Sequence, residues 1–279
     1  MTRNPKIRLF AVAVLVLTIG AALCANFLAP AGYEHQFRES PGASPSSQHL
    51  LGTDDLGRDR FARLLFGARV SLLLAPLAAA ISTLLAAFFG GMAGYFGGWI
   101  ERVALVVVDL FLSIPWLFLL ISVRAVLPLN ISPQSSVIVT FLLLGFLGWA
   151  VSARVVCAGT RELMSSEFVT LARATGFSGL KLVRLHLLPN LRGTLMAQFW
   201  ISVPVFIITE ANLGALGLGV SEPLPSLGSL LRELQSVVTL RPEPWRFIPL
   251  VVLVLVVSCF EILLNHSLIS SRGTSEVRA

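Results

Sequence analysis

Charge is scarce in this sequence: 13% of its 279 residues are Asp, Glu, Lys or Arg, against 55% that are hydrophobic. A soluble domain carries about 25% charged residues, so the polar coat of a water-exposed globule is missing. Lysine is scarcer still, present only as Lys6 and Lys181, and neither closes a GxxxxGK[ST] phosphate cradle. The three cysteines, Cys24, Cys157 and Cys259, lie in or beside apolar runs without CxxC spacing, which argues against both a zinc site and a disulfide framework. His35, His49, His186 and His266 are scattered without metal spacing. Asp54, Asp55 and Asp59 lack the spacing and the bidentate Glu of a calcium loop, and read as a solvated, loop-ordering group or a docking point for an external partner. Period-2 alternation is also absent, which excludes a transmembrane β-barrel. No metal and no cofactor is implied.

What is present is a set of apolar runs, each near the roughly 20 residues that a helix needs to cross about 30 Å of hydrocarbon. They fall at about 9–29, 70–94, 103–127, 136–156, 195–215 and 247–267. The first follows Arg3, Lys6 and Arg8 but exceeds a signal peptide's h-region of about 7–15 residues and ends without a small-x-small site, so it reads as an uncleaved span. Pro115 lies inside the third run, where it is expected to kink the helix, and Arg124 is expected to snorkel from its outer end. Gly90, Gly91 and Gly94 permit close helix approach. The formal charge of +6 resides at the ends of the runs, where headgroups explain it without nucleic acid. Arg3, Lys6 and Arg8 fall on the same side as Arg161, Arg173, Lys181, Arg184 and Arg192, which makes that side cytoplasmic and puts both termini there. The organisation is therefore an all-α integral membrane chain. It has a tail and first helix over 1–29, an external loop over 30–69, a five-helix core over 70–269 and a cytoplasmic tail over 270–279, with a cytoplasmic loop at 157–194 inside the core.

The 157–194 loop carries the most information. Propensity predicts a short helix from Glu167 to Thr175 broken at Gly176, then a second helix from Leu180 to Leu187 stopped by Pro189. Phe168, Leu171, Ala172 and Thr175 recur at i, i+3, i+4 and i+7, an apolar stripe on a water-facing loop that calls for a partner groove. Ala172-x-Ala174-x-Gly176 with Leu188-Pro189 further on resembles the EAA loop of ABC importer permeases, which seats on the ATPase subunit. Thr170 stands where that family has glutamate and Leu171 where it has its first alanine, while Ala172, Gly176 and Pro189 match.

Three further stretches resemble the C-type subunit of dipeptide and oligopeptide importers. The first is His49 through Asp59, running on into Leu65 to Ser71. The second joins Ala93 through Trp99 with Asp109 through Pro115, and the third joins Thr209 through Val220 with Pro225 through Gly228. The resemblance spans roughly 49–260, and the end beyond it departs from the family's Gly-Asp-rich segment.

The resemblance implies a six-span, type I ABC importer permease in a bacterial cytoplasmic membrane, carrying di- or oligopeptides or a similar small solute. It implies four kinds of partner: a second homologous permease, two ATPase subunits, an external solute-binding protein and the lipid bilayer. It gives the chain no catalytic site, and assigns ATPase coupling to Phe168, Thr170, Leu171, Ala172, Arg173, Ala174, Thr175, Gly176 and Pro189. Asp109 and Glu210 lie inside predicted spans, where they either line or gate a pathway or fix helix packing. Other readings stand beside this one: an ATP-independent secondary transporter using those two acids, import of a non-peptide solute such as a nickel chelate, or a membrane scaffold presenting the 157–194 loop.

Overall fold

The computed structural model describes residues 5–126, 132–235 and 243–276, with side chains described for 5–126, 132–234 and 243–265. Arg3, residues 127–131 between the expected third and fourth spans, and the end of the 270–279 tail lie outside the described residues.

Among the described residues, five helical stretches are long and apolar enough to cross a membrane: Pro5–Leu23, Arg60–Phe96, Pro133–Met164, Gly179–Ala215 and Pro244–Asn265. They comprise α1 (Pro5–Leu23), α3 (Arg60–Phe96), α6 with α7 (Pro133–Leu147, Trp149–Met164), α9 running into α10 (Gly179–Leu182, Leu188–Ala215) and α12 (Ile248–Glu276). A short α2 (Ala25–Leu28) follows α1. The sixth expected span is a pair, α4 (Gly98–Ser113) and α5 (Trp116–Val126), bent by 79° at the break between them. Pro115 therefore ends a helix rather than kinking one. It has no N–H to continue the ladder, and it holds Ile114 extended at φ −85°, ψ 124°. Pro76 and Pro204, by contrast, sit inside α3 and α10 without ending them. Helix α3 also begins ten residues earlier than the sequence reading placed it, because Asp59 Oδ1 accepts the Ala62 N–H at 2.8 Å and caps it.

The chain divides into two compact units, one of Met1–Ala75, Leu127–Thr140 and Pro204–Ala279, the other of Pro76–Val126 and Phe141–Val203. In the first, α1 packs along α12, and the 30–69 loop folds onto the start of α3, with the Tyr33 ring tilted 59° against Phe66 at 5.0 Å between centroids. Helix α1 has no polar face and buries only Ala11, Leu15 and Ala22 against protein, as suits a helix whose remaining sides meet lipid.

In the second unit α4 runs antiparallel to α7 around Ala86, Val108, Ala150, Ala153 and Val156. Helix α3 meets α7 almost backbone to backbone. A Cβ on Gly90 would lie 2.3 Å from the Ala153 carbonyl oxygen, and one on Gly94 would lie 2.5 Å from that of Cys157, while Gly91 faces open space. Gly90→Val is thus expected to destabilise the protein by about 3 kcal/mol, the upper end for overpacking. Thermal unfolding in detergent checks this, with Gly91→Ala near wild type as the control.

Candidate functional site

Helix α8 (Glu167–Ala174) lies in the loop between α7 and α9. Glu167 in its first turn and Arg173 in its last complement the helix dipole. Its end is a Schellman closure: Phe177 N–H donates to the Ala172 carbonyl at 3.1 Å and Gly176 N–H to that of Arg173 at 3.0 Å. Gly176 makes this closure at φ +83°, a conformation costing other residues about 1–2 kcal/mol.

The apolar stripe differs from the sequence expectation in one member. Phe168, Leu171 and Thr175 are exposed, but Ala172 is only 6% exposed and turns inward with Val169. Both pack on Leu182, Leu187 and Leu191, with Tyr95, Leu163 and Phe177 around them. The physical reason is that the loop needs a core of its own, and the small side of α8 seats on the foot of the following span. The outward face is instead Phe168, Thr170, Leu171, Arg173, Ala174 and Thr175. Thr170, at the position of the family glutamate, spends its hydroxyl on the Ser166 carbonyl at 3.1 Å.

Pro189 does not stop the second helix. Residues Val183–Leu187 form a π-turn between α9 and α10, and the helix continues through the exposed Pro189 to Ala215. The wider π ladder ends just before the proline, so its missing N–H falls where the bonding pattern switches.

The two acids inside spans have different surroundings. Asp109 pairs with Arg154, a residue that sequence reasoning missed although it too lies inside an apolar run. A second pair between the same two helices joins Glu101 to Arg161 at 2.9 Å. Asp109 is 59% exposed and Arg154 51%. Glu210 is fully enclosed: Ser71 Oγ donates to its Oε2 at 2.8 Å and itself accepts the Leu227 N–H at 3.1 Å. Leu227 opens helix α11 (Leu227–Arg232), and a Cβ on its second residue, Gly228, would lie 2.7 Å from the Glu210 carbonyl. Glu210 thus anchors α11. Arg124, expected to snorkel, is buried instead.

The 30–69 loop also departs from its solvated reading. Asp54 and Asp59 are buried, and only Asp55 of the three is exposed. Asp54 accepts from the Leu56 and Arg58 N–H groups and from the Arg58 and Arg63 guanidinium groups. Asp59 pairs with His49 Nδ1 at 3.0 Å. Arg63 also reaches Glu222 at 3.1 Å and Glu233 at 3.5 Å, and Arg60 reaches Glu233 at 2.8 Å, tying the loop to the segment after α10. Burial works against the Arg58 charge, but Asp54 and Glu222 more than offset it and hold its pKa above the usual value. Burial pushes the Glu233 carboxyl up, with Arg63 and Arg60 pulling it partly back.

Residues 86–269 match the model of a family described as binding-protein-dependent transport system inner membrane component. The oligopeptide transport system permease protein OppC of Mycobacterium tuberculosis (strain H37Rv) is 35% identical over 248 residues, 88% of this chain and 83% of that protein. The dipeptide transport system permease protein DppC of Bacillus subtilis is 30% identical over 231 residues, covering 83% and 70%. Among solved structures, a chain of the MetNI methionine ABC transporter in an inward-facing conformation superposes with a TM-score of 0.56. It shares 19% identity over 75% of this chain and 96% of that one, a likeness of fold.

Proposed function

Because this chain belongs to the family of binding-protein-dependent transport system inner membrane components, we propose that it imports di- or oligopeptides as one half of a pair of homologous permease subunits. Two ATPase subunits drive it, and an external solute-binding protein delivers the cargo. The observation that carries the cargo class is the likeness to OppC and DppC over most of the length of both proteins and of this chain. Family membership sets aside the ATP-independent carrier and the bare scaffold. The chain resides in a bacterial cytoplasmic membrane with both termini inside.

Helix α8 is the ATPase-docking element in this reading. Its outward Phe168, Leu171 and Thr175 form the contact, backed by Val169 and Ala172. Gly176 closes the helix so that the chain turns at once, and the exposed Pro189 lies beyond the π-turn. Of the two acids inside spans, Glu210 holds the external α11 in place, and Asp109 belongs to the pathway.

Purification of the tagged chain from cells expressing its whole operon is expected to bring down a second permease and ATPase subunits. Vesicles holding that complex are expected to take up peptides only with ATP and binding protein present. Uptake without ATP, or purification of this chain alone under conditions that keep it folded, would overturn the proposal. Orientation has its own check: a thiol placed by Ser178→Cys, with Cys24 replaced by serine, is expected to react with an impermeant reagent only after the cells are opened.

A further inference from the structure

The α4–α7 pair is a two-rung ladder of ion pairs. Glu101–Arg161 and Asp109–Arg154 are separated by eight residues on α4 and seven on α7. At 1.5 Å per residue the second rung lies roughly 11 Å deeper than the first. Arg161 is close to the end of α7 where the coupling loop begins, so the Asp109–Arg154 rung sits well inside the span. Both its members are more than half exposed, whereas Glu210 is enclosed. Even on insertion scales a lone Asp or Arg costs about 2.5–3.5 kcal/mol at the centre of a bilayer, so this face does not meet hydrocarbon.

A second observation points the same way. Ser113, Ile114 and Pro115, where α4 stops and α5 turns off at 79°, are exposed. Broken backbone at membrane depth persists only where protein buries it or water reaches it. Ser113 is one helical turn beyond Asp109, on the same face. Burying the ion pair under a partner subunit would cost several kcal/mol per ion unless new hydrogen bonds satisfied it. Water requires no such compensation.

The chemistry of this face is specific. The last carbonyls of α4 carry the negative end of its dipole within one turn of Asp109, so this end of the helix and the Asp109 carboxylate both favour an ammonium group. The Arg154 guanidinium is a locus for a carboxylate. We infer that Asp109, Arg154 and the broken end of α4 form a cargo-contact site within the membrane for a zwitterionic solute. The solute's ammonium engages Asp109 and the carbonyl end, and its carboxylate engages Arg154. The internal pair opens as the solute's two charges replace it, so no charge is left uncompensated. This rests on the importer reading above, and specifies which end chemistry the pathway recognises.

The test uses the assembled complex in vesicles with its binding protein. In a background carrying Cys24→Ser, Cys157→Ala and Cys259→Ala, the Ser113→Cys thiol is expected to react with a charged, water-soluble reagent. A free tripeptide is expected to slow that reaction, and its N-acetylated amide is not. A thiol that never reacts would mean that lipid or a partner covers the face, and equal protection by both peptides would mean that end charge is not read; either overturns the inference. Asp109→Asn is expected to cut free-tripeptide uptake about tenfold relative to wild type, the scale of one charge-assisted contact. The double exchange Asp109→Arg with Arg154→Asp rebuilds an ion pair with its polarity reversed and is expected not to restore uptake; full restoration shows a purely structural pair. Absence of peptide uptake by the wild-type complex is a different result, seen before any substitution at these positions, and it refutes the importer reading itself.

Discussion

Arg63→Met is expected to release the external loop while the membrane spans stay folded. Arg63 is 1% exposed and reaches Asp54, Glu222 and Glu233, so one guanidinium holds three carboxylates from two parts of the chain. Methionine fills much of the volume but leaves those acids facing one another with less compensation. Removing one partner of a buried pair costs about 3–5 kcal/mol, because the other charge stays buried without it. Limited proteolysis within residues 30–59 should accelerate accordingly, with the exposed Arg38→Met as the control that leaves it unchanged. Cleavage at the wild-type rate in Arg63→Met would show that the loop is held by something other than this network.

Leu171→Asp is expected to abolish ATPase co-purification with little loss of folded permease. Leu171 is 66% exposed at the centre of the outward face of α8, so a carboxylate there meets water in the free subunit and, on the proposed docking role, the ATPase surface in the complex. Truncations at interface centres cost about 2 kcal/mol or more, and a buried unpaired charge costs more than a truncation, so a loss of at least thirtyfold in association is expected. Ala172→Asp, at a position only 6% exposed and packed among Leu182, Leu187 and Leu191, is expected to fail differently. It disrupts the loop itself and lowers the unfolding temperature before any partner is added. If Leu171→Asp retains full ATPase binding and full peptide uptake, the coupling role of α8 is wrong.

The two variants mark how far the sequence could be read. The rough places of the spans follow from run length, since the bilayer imposes one dimension on every crossing, but the early start of α3 at Arg60 and the break at Pro115 do not; the turn at Gly176 follows from the one residue type that takes φ +83° freely. Helical spacing also picked out the apolar stripe of α8, but it could not tell which apolar residues of a short amphipathic helix turn inward. Ala172 and Leu171 are neighbours in sequence, and only the Leu182–Leu191 platform decides between them. The Asp109–Arg154 pair was half legible: each residue is an ionisable group in an apolar run, and pairing them needs the antiparallel register of α4 and α7. The external network was the least legible, because its acids and bases look like an ordinary solvated loop until Glu222 and Glu233, more than 150 residues away in sequence, close on Arg58, Arg60 and Arg63.

The split of α8 into an outward and an inward side has a consequence for exchanging partners between related transporters. Val169 and Ala172 must match the volume left by Leu182, Leu187 and Leu191, whereas Phe168, Thr170, Leu171, Ala174 and Thr175 answer to nothing inside this chain's hydrophobic cluster. On the proposed docking role, the second set can change to suit a different motor subunit at little expense to the fold. If α8 docks the ATPase subunit as proposed, a chimera meant to run on a foreign motor is expected to need those side chains and the outward Arg173 transplanted, whereas one that moves the whole loop without its platform is expected to carry over a misfit along with the new specificity.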